Sequence, residues 1–397
     1  MRLSGAQIIV QSLKSEGVKY VFGYPGGAVL EIYDAIFQLN AFRHILVRHE
    51  QAAVHMADAY ARASGEVGVA LVTSGPGATN AVTGIATAHS DSIPIVVISG
   101  QVASSTIGTD AFQEVDMVGI TRHCVKHNFL VKQVDGLANT IKKAFYLART
   151  GRPGPVIIDV AKDVTQALHK FCYPQEQPFI RSYQPVIHAH KGQIKKAVQL
   201  FALAKRPVVF FGGGIVLANA EEELRRWIQL TGVPCVSSLM GLGAYSASHP
   251  QFLGMVGMHG TYEANMAMQQ ADMVLALGVR FDDRVISVPE KYLATAKKII
   301  HIDIDPSSIA KRVPVNVPIV GDIKLALQAM TYQWEEKRLI LDHKGLQCWW
   351  ECIEQWRSFK SLNYSDDEQI IKPQYVIKSL AQLTQNRAYI CLLYTSD

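Results

Sequence analysis

The apolar residues of this chain fall into short continuous runs, separated by segments with helical spacing. In the first part of the sequence these runs predict strands at Val18–Phe22, Ile45–Val47, Val67–Val72, Ile93–Ile98 and Pro155–Val160. The intervening segments predict helices at Val29–Leu39, Gln51–Ala63, Ala78–His89 and Leu137–Thr150. Val- and Ile-rich strands that alternate with helices are typical of a parallel sheet covered on both faces.

A helix is predicted at the very start of the chain. Ser4 and Gln7 have the spacing of a capping box, apolar residues follow at once, and Gly17 is suited to end the helix. We therefore expect neither a signal peptide nor a transit segment. No apolar run is long enough to span a bilayer, so a soluble, cytoplasmic protein without a membrane partner is expected.

A second α/β pattern follows a proline-rich stretch. Its predicted strands are Val208–Phe211, Val233–Val236, Met273–Leu277, Ile299–Ile304 and Val317–Val320. The chain is then predicted to be helical from Trp334 to Lys360, and Pro373 opens a new helix, Gln374–Leu383, with a strand expected near Ala388. We interpret the chain as consecutive doubly wound α/β domains, since 397 residues exceed what one compact core usually holds.

The predicted domain bounds follow these changes in pattern. Residues 1–165 form the first domain, 166–190 a linker, 191–333 the second domain and 334–372 a helical linker. Residues 373–397 are expected to start a third α/β domain that is not completed.

Composition and charge exclude several classes of protein. Hydrophobic residues make up 49% and charged residues 18%, which fits a globular, oligomeric protein. The net charge of +5 comes from scattered residues, and no basic block indicates nucleic-acid binding. Cys348 and Cys352 have helical spacing, but without a second Cys or His pair nearby, reduced thiols are favoured over zinc.

Glycine-rich and polar segments lie at the predicted carboxyl ends of the first set of strands. They are G-Y-P-G-G at 23–27, R-H-E-Q at 48–51, S-G-P-G-A-T-N at 74–80, G-T-D-A-F-Q-E at 108–114 and G-R-P-G-P at 151–155. Glycine lets a cofactor approach the backbone closely. Taken alone, Glu50 is most simply an acidic residue in the first turn of a helix. With these loops around it, Glu50 becomes a candidate for acid–base chemistry.

This ordered set resembles the pyrimidine-binding domain of acetolactate synthases, thiamine-diphosphate enzymes that join two 2-ketoacids. The resemblance covers essentially the whole first domain and implies that Gly26 and Gly27 bind the cofactor. It implies that Glu50 is catalytic and hydrogen-bonds N1′ of the aminopyrimidine. A carboxyl group at that position favours the imino tautomer, whose 4′ nitrogen removes the C2 proton of the thiazolium ring.

The same resemblance implies which residues line the cavity above the thiazolium ring. Phe112 would contact substrate, Gln113 would hydrogen-bond reaction intermediates, and Lys162 would attract ketoacid carboxylates through its charge. Family members commonly have proline before this lysine, whereas Ala161 stands here, which bears on how the backbone of Lys162 is placed. Without the resemblance, Lys162 is equally well an ordinary surface lysine.

The second domain resembles the FAD-binding middle domain of the same family. Its segments are G-G-G at 212–214, S-L-M-G-L-G at 238–243, G-M-H-G at 257–260, G-V-R-F-D-D-R at 278–284, H-I-D-I-D-P at 301–306 and G-D at 321–322. The cofactor-binding residues predicted from this resemblance are Arg152, Gly212, Gly213, Gly214, Met258, His259, Arg280, Asp303 and Asp322. In the family the flavin takes no net redox part in the main reaction.

Arg284 and Met258 are predicted to bind substrate. A guanidinium group at Arg284 suits the carboxylate of the second ketoacid. The alternative is a salt-bridged turn in which Arg280 and Arg284 pair with Asp282 and Asp283.

The family binds Mg²⁺ through a G-D-G motif and a downstream asparagine in its third domain. Neither is found past residue 360, so no metal ligand is predicted within the chain. The final residues, 391–397, also depart from the family's strand, as expected for a partial gene or a sequencing artefact. We expect that this chain alone does not turn over pyruvate.

The predicted function is that of an acetolactate synthase catalytic subunit acting in isoleucine, valine and leucine biosynthesis. It would decarboxylate pyruvate and join the product to pyruvate or 2-ketobutyrate, using thiamine diphosphate, Mg²⁺ and FAD. A homodimer and a small regulatory subunit are implied. The alternatives are another thiamine enzyme (a flavin-free acetolactate synthase, a glyoxylate carboligase or a 2-ketoacid decarboxylase) and a non-catalytic FAD-binding fragment. A dinucleotide dehydrogenase is disfavoured because no G-x-G-x-x-G opens a helix after the first strand.

Overall fold

The computed structural model describes residues 2–295, 297–367 and 369–390. Contacts between residues divide the chain into two units. The first is the chain up to Ala189 together with Ile304–Pro306 and Val320–Asp322, and the second is the remainder.

The first unit contains a six-stranded sheet and a two-stranded one. Its strands are β1 Arg2–Ser4, β2 Tyr20–Gly23, β3 Arg43–Leu46, β4 Gly68–Val72, β5 Ile95–Gln101, β6 His127–Val131, β7 Val156–Ala161 and β8 Leu168–Lys170. Its helices are α1 Gly5–Ser15, α2 Leu30–Leu39, α3 Glu50–Ser64, α4 Pro76–Asn80, α5 Val82–Asp91, α6 Met117–Thr121, α7 Leu137–Arg149 and α8 Lys162–Gln166. The larger sheet has the order β3-β2-β4-β5-β7-β6, and all its pairs are parallel.

The central strands of this sheet are buried on both faces, as their continuous apolar sequences predict. Successive residues of β4 and β5 alternate between two cores, so Leu71 and Ile98 pack with α1 and α7 on one face. Val72 and Val97 pack with α3 and α5 on the other face. This arrangement confirms the predicted doubly wound α/β fold.

The start of the chain also follows its prediction. Ser4 caps α1 by accepting from the Gln7 amide, and the Gln7 side chain accepts from the Ser4 amide at 3.0 Å, which completes the capping box. Gly17 has φ 77°, the left-handed conformation that glycine adopts readily after a helix. The antiparallel pairing of β1 with β8 was not predicted.

The second unit contains another six-stranded sheet, with the order β11-β10-β9-β12-β13-β14. Its strands are β9 Pro207–Phe211, β10 Cys235–Ser237, β11 Phe252–Met255, β12 Met273–Leu277, β13 Lys298–Asp303 and β14 Val317–Val320. Its helices are α9 Lys191–Phe201, α10 Gly213–Leu217, α11 Glu221–Thr231, a 3-10 turn Leu239–Gly241, α12 Tyr262–Gln270, α13 Pro289–Leu293, α14 Ile323–Glu336, α15 His343–Arg357 and α16 Pro373–Leu383.

In both large sheets the order of successive strands reverses next to strands that are followed by glycine-rich loops. In the first sheet the chain goes from β2 outward to β3 and returns on the other side of β2 at β4. In the second sheet it goes from β9 through β10 to β11 and returns at β12. Loops at such a switch point diverge and leave a crevice, which is where open α/β sheets bind ligands.

Several predicted elements needed correction. The helix expected at Ala78–His89 is two helices, α4 and α5, that meet at Ala81. The helical stretch expected from Trp334 to Lys360 is interrupted at 337–342, between α14 and α15. The proline-rich stretch after residue 166 includes β8, and Tyr183 in it donates to the carbonyl of Thr150 at 2.6 Å.

The end of the chain is described only in part. No strand is present from Ala388 to Ile390, the last residue that the structure describes, where we expected one to start. The tail discussed above, 391–397, lies outside the described residues. Among the helices that are described, none has both the length and the apolar character needed to cross a membrane.

Candidate functional site

Glu50 is the first residue of α3, and its side chain is buried, with 8% of the residue exposed. His49 caps the helix by accepting from the Gln51 amide at 3.1 Å. The Glu50 carboxylate accepts a hydrogen bond from Asn80 Nδ2 at 2.9 Å, so one oxygen is tied to α4. An acidic residue in the first turn of a helix lies at the positive end of the helix dipole.

Thr73, just after β4, is the point around which three segments meet. A Cβ on Gly26 would lie 2.5 Å from Thr73 Cγ2, and one on Gly77 would lie 2.6 Å from it and 3.1 Å from Glu50 Oε1. Thr73 Oγ1 accepts from the Ala28 amide at 3.3 Å. The structure thus brings Gly26 and Glu50 to one place. In the part of the chain that the structure describes, no atom lies within 4 Å of a Cβ on Gly27, so this residue faces open space there.

Two further polar side chains, missed by the sequence analysis, point at the end of β2. A Cβ on Gly23 would lie 2.5 Å from Tyr33 Oη and 3.3 Å from His44 Nε2. Both atoms are buried and find no hydrogen-bond partner in the described part of the chain. Burial, and then the charge of Glu50, raises the pKa of Tyr33, and burial lowers the pKa of His44.

The loop that carries Phe112 and Gln113 packs on the loop after β4. Gln113 has φ 58°, and a Cβ on Gly75 would lie 2.6 Å from the Gln113 carbonyl oxygen. Phe112 is 87% exposed. Within the loop the Glu114 carboxylate accepts from the amides of Gly108 and Ala111, and these hydrogen bonds, first that from Gly108, lower the pKa of Glu114.

Lys162 begins α8 directly after Ala161, the last residue of β7. Ala161 lies opposite Gln101 at the end of β5, so Lys162 follows a strand end beside the start of the Phe112 loop. Ala161 has φ −63°, the value that a proline ring imposes, so replacing the family's proline leaves the backbone direction unchanged. Asp163 accepts from the Ser104 amide at 2.8 Å, and its hydrogen bonds lower its pKa although burial alone would raise it.

In the second unit, the loops after β9 and β12 approach each other through glycines. A Cβ on Gly214 would lie 2.6 Å from the Cα of Gly278, and one on Gly212 would lie 2.7 Å from the Gly278 carbonyl oxygen. A Cβ on Gly213 would meet Met240 Cβ at 3.1 Å. Gly278 itself has φ 57°. The structure therefore brings the three predicted glycines together at the switch point of this sheet.

The predicted Met258 and His259 lie on a tight turn. The side-chain amide of Asn265 accepts from the Gly257 amide at 2.8 Å and donates to the Gly257 carbonyl at 3.0 Å. The Met258 amide donates to the Arg284 carbonyl at 3.1 Å, which joins this turn to the R-F-D-D-R segment. Met258 is 66% exposed and His259 is exposed, so both side chains are accessible within the unit.

The salt-bridged alternative for Arg280 and Arg284 is not what the structure has. Asp282 Oδ1 instead accepts from the backbone amides of Arg284 and Val285, each at 3.1 Å. Both guanidinium groups are exposed, and within the described ranges neither forms an ion pair. Two cationic groups are thus left available on one loop.

The remaining predicted cofactor residues are divided between the units. Arg152, in the first unit, donates to Ser92 Oγ at 2.8 Å and pairs with Asp305 at 3.1 Å. Asp322, also in the first unit, donates its amide to the Ile187 carbonyl at 2.8 Å. Asp303 is buried at the end of β13 in the second unit.

In the portions of the chain that the structure describes, no cluster of three or more His, Cys, Asp or Glu side chains is arranged to hold a metal ion. Cys348 and Cys352 are both exposed and unpaired.

Two family models match the chain, in the order of its two units. The N-terminal TPP binding domain of thiamine pyrophosphate enzymes matches residues 3–120, and the central domain of the same enzymes matches residues 194–330. The class indicated by the two doubly wound sheets and their loops is therefore that of thiamine pyrophosphate enzymes.

Comparison with individual relatives identifies the family within this class of enzymes. The chain is 55% identical over 392 residues to the acetolactate synthase large subunit of Haemophilus influenzae, covering 98% of the chain and 68% of the relative. It is 54% identical over 396 residues to the acetolactate synthase isozyme 3 large subunit of Escherichia coli, covering 100% of the chain and 68% of that protein. The acetolactate synthase of Mycobacterium leprae is 45% identical over 386 residues, 96% of the chain and 61% of that protein. The chain belongs to the acetolactate synthase large-subunit family.

Proposed function

We propose that this chain forms the pyrimidine-binding and flavin-binding parts of an acetolactate synthase catalytic subunit. The observation that carries the proposal is the buried Glu50 carboxylate at the start of α3, tied to Asn80 and surrounded by glycine loops at the switch point of a parallel sheet. The substrates would be pyruvate and a second ketoacid, pyruvate or 2-ketobutyrate. The product would enter branched-chain amino-acid biosynthesis in the cytoplasm.

The residues around Glu50 fit the aminopyrimidine of thiamine diphosphate. When bound, the cofactor supplies a carbon that can add to a ketoacid carbonyl and hold the electrons released by decarboxylation. Glu50 would hold a proton at the pyrimidine ring. Only one carboxylate oxygen is bonded to Asn80, so the other, Oε1, is the one that can meet the ring. Gly77 leaves room beside Oε1, where even a methyl group would come within 3.1 Å.

We assign the loop at 108–114 and the start of α8 to ketoacid binding. Phe112 presents a large apolar surface, and Gln113 has an amide that can hydrogen-bond a ketoacid oxygen. Lys162, beside the end of β5, would attract a carboxylate through its ammonium charge. Arg284, which forms no ion pair in the described residues, would bind the carboxylate of the second ketoacid.

The switch point of the second sheet fits a flavin dinucleotide. Gly212 and Gly214 let the loop after β9 pack directly against Gly278, where a side chain would collide with the backbone. A glycine-rich loop between a strand and a helix at a switch point is the arrangement that binds dinucleotide diphosphates. Arg280 has an exposed guanidinium group that suits a phosphate. Met258, His259, Asp303, and from the first unit Arg152 and Asp322, complete the proposed set. Mg²⁺, a homodimer and a small regulatory subunit are proposed from the family alone.

The test is the effect of Glu50→Gln on 2-acetolactate formation from pyruvate. It is best made on the full product of the gene that contains this sequence, supplied with thiamine diphosphate and Mg²⁺. Loss of a positioned acid–base group lowers rates by about 10²- to 10⁴-fold, so we expect a loss of kcat in this range. Melting temperature should change little, because the amide keeps the shape of the side chain.

Glu66→Gln is the matched control, since Glu66 is exposed just after α3 and this substitution should leave the rate unchanged. A Glu50→Gln protein with wild-type kcat would remove Glu50 from the mechanism. A wild-type protein that decarboxylates pyruvate without forming acetolactate would favour a decarboxylase.

A further inference from the structure

The loop from 102 to 116 carries two proposed substrate-binding residues and needs to be held in place. Phe112 is 87% exposed and contributes little packing of its own. Glu114 ties the loop to itself through the amides of Gly108 and Ala111. Asp163 binds Ser104 and so holds the beginning of the loop. What holds its far end is a buried polar cluster outside the site described above.

The cluster is centred on Asp159 of β7, which is 1% exposed. Ser99 lies opposite Asp159 in the parallel ladder, and its hydroxyl donates to Asp159 Oδ1 at 2.6 Å. Gln101 Nε2, two residues further along β5, donates to Asp159 Oδ2 at 3.0 Å. Each carboxylate oxygen therefore has one donor from β5.

Gln101 connects this carboxylate to the loop. Its Nε2 also donates to the carbonyl of Val115 at 2.7 Å, and its Oε1 accepts from the Val102 amide at 2.9 Å. Both amide hydrogens and the amide oxygen are thus used. Rotating the amide by half a turn would place its oxygen against two acceptors, Asp159 Oδ2 and the Val115 carbonyl. The orientation of Gln101 is therefore fixed by Asp159.

We propose that Gln101, oriented by Asp159, is a positioning residue that fixes the far end of the 102–116 loop and thereby holds Gln113 against Gly75, with Phe112 next to it in the chain. Val115 lies two residues from Gln113, so a shift at its carbonyl would move Gln113 off Gly75. The inference depends on the proposed function only for what Phe112 and Gln113 bind.

The test compares Gln101→Met with Ser99→Ala by amide hydrogen exchange, on the purified chain without added ligand. Each variant removes one donor to the same buried carboxylate, but only Gln101 reaches the loop. Loss of one buried hydrogen bond should speed exchange of the amides at 108–116 by about tenfold in Gln101→Met. In Ser99→Ala the same amides should stay within about twofold of wild type, with α7 as the internal reference.

Gln101→Asn serves if Gln101→Met does not fold. The shorter side chain remains near Asp159 but cannot span the distance to the Val115 carbonyl, so the same local acceleration is expected. Equal acceleration in Ser99→Ala and the Gln101 variants, or none in either, would overturn the proposal. The readout needs no cofactor or turnover, so it stands apart from the result for Glu50→Gln.

Discussion

His301 and Asp159 are both buried ionisable residues on strands, and they satisfy their hydrogen bonds to different extents. Asp159 receives donors on both carboxylate oxygens, yet burial still raises its pKa to about 6. His301 Nε2 bonds to the Val279 carbonyl at 2.9 Å, while Nδ1 has no partner in the described residues. Burial lowers the pKa of His301 to about 4, so the ring is neutral and donates from Nε2 at neutral pH.

The pH dependence of stability should show the His301 effect. Its folded pKa of about 4 lies below the unfolded value of 6.5, so between these values the unfolded chain binds more protons. The stability that neutral His301 contributes is complete above pH 6.5 and is lost as pH falls toward 4. A shift of this size corresponds to ~3 kcal/mol.

Urea unfolding of wild type and His301→Phe at pH 5 and pH 7 measures this. The variant should lose less stability on acidification than wild type, although it is less stable at pH 7. His188→Phe, a substitution at an exposed position, should lose as much stability between pH 7 and pH 5 as wild type does. The contribution of Asp159 to stability has the opposite sign, because its raised pKa makes stability fall as pH rises from 3.8 to about 6. This contribution is the same in all three proteins, so it does not affect the comparison. Equal losses of stability from pH 7 to pH 5 in wild type and His301→Phe would contradict the assignment of this pH dependence to His301.

At the scale of elements, the sequence predicted every central strand of the two large sheets, and also the edge strands β3 and β14. The other two edge strands, β6 and β11, were missed, since each has one buried residue and only a short apolar segment. The pairing of β1 with β8 joins segments 164 residues apart, as the Ser4–Leu168 register shows, and no local pattern contains that information.

The residues of the candidate site also fall into two groups, those that the sequence identified and those that it missed. Glu50 and the glycine loops were found because they form motifs that are contiguous in sequence. Tyr33 and His44 were missed because they converge on Gly23 from a helix and a neighbouring strand. Their convergence depends on sheet register, in which His44 lies opposite Val21, and only the folded structure provides it.

The glycines of the site differ in how much space surrounds them, so alanine substitutions should affect stability differently from one glycine to the next. In a helix such as α4, alanine is ordinarily favoured over glycine by about 0.4–1 kcal/mol. For Gly77→Ala the contact with Thr73 Cγ2 at 2.6 Å should outweigh that gain, and overpacking of this kind costs about 1–3 kcal/mol. The methyl group of Gly27→Ala would meet none of the described residues within 4 Å, so the stability of this variant should stay within about 0.5 kcal/mol of wild type.

Urea denaturation midpoints of the two alanine variants check this difference. Thr73→Ser with Gly77→Ala provides a further control, because removing the Thr73 methyl group should recover part of the lost stability. An unchanged midpoint for Gly77→Ala would mean that the loop after β4 moves away without cost, and the close packing beside Glu50 would not be rigid.

On the scale of the whole molecule, the two units have separate apolar cores. Leu71 of β4 packs in the core of the first unit, and Leu275 of β12 is fully buried in the second. Both lie on the strand that follows the switch in its sheet, so they are matched in position as well as in chemistry. Each unit should therefore respond to a cavity in its own sheet.

We expect Leu275→Ala to destabilise the second unit by about 2–5 kcal/mol and Leu71→Ala to do the same to the first. Exchange of amides in β9–β13 should accelerate in Leu275→Ala, while exchange in β4, β5 and β7 stays as in wild type. Leu71→Ala should give the reverse pattern, and amide exchange read by mass spectrometry separates the two sets. Acceleration of both sets by either substitution would mean that the chain unfolds as one cooperative body. In that case, weakening the proposed flavin-binding unit would also weaken the structure around Glu50, and the two sites would be coupled through stability.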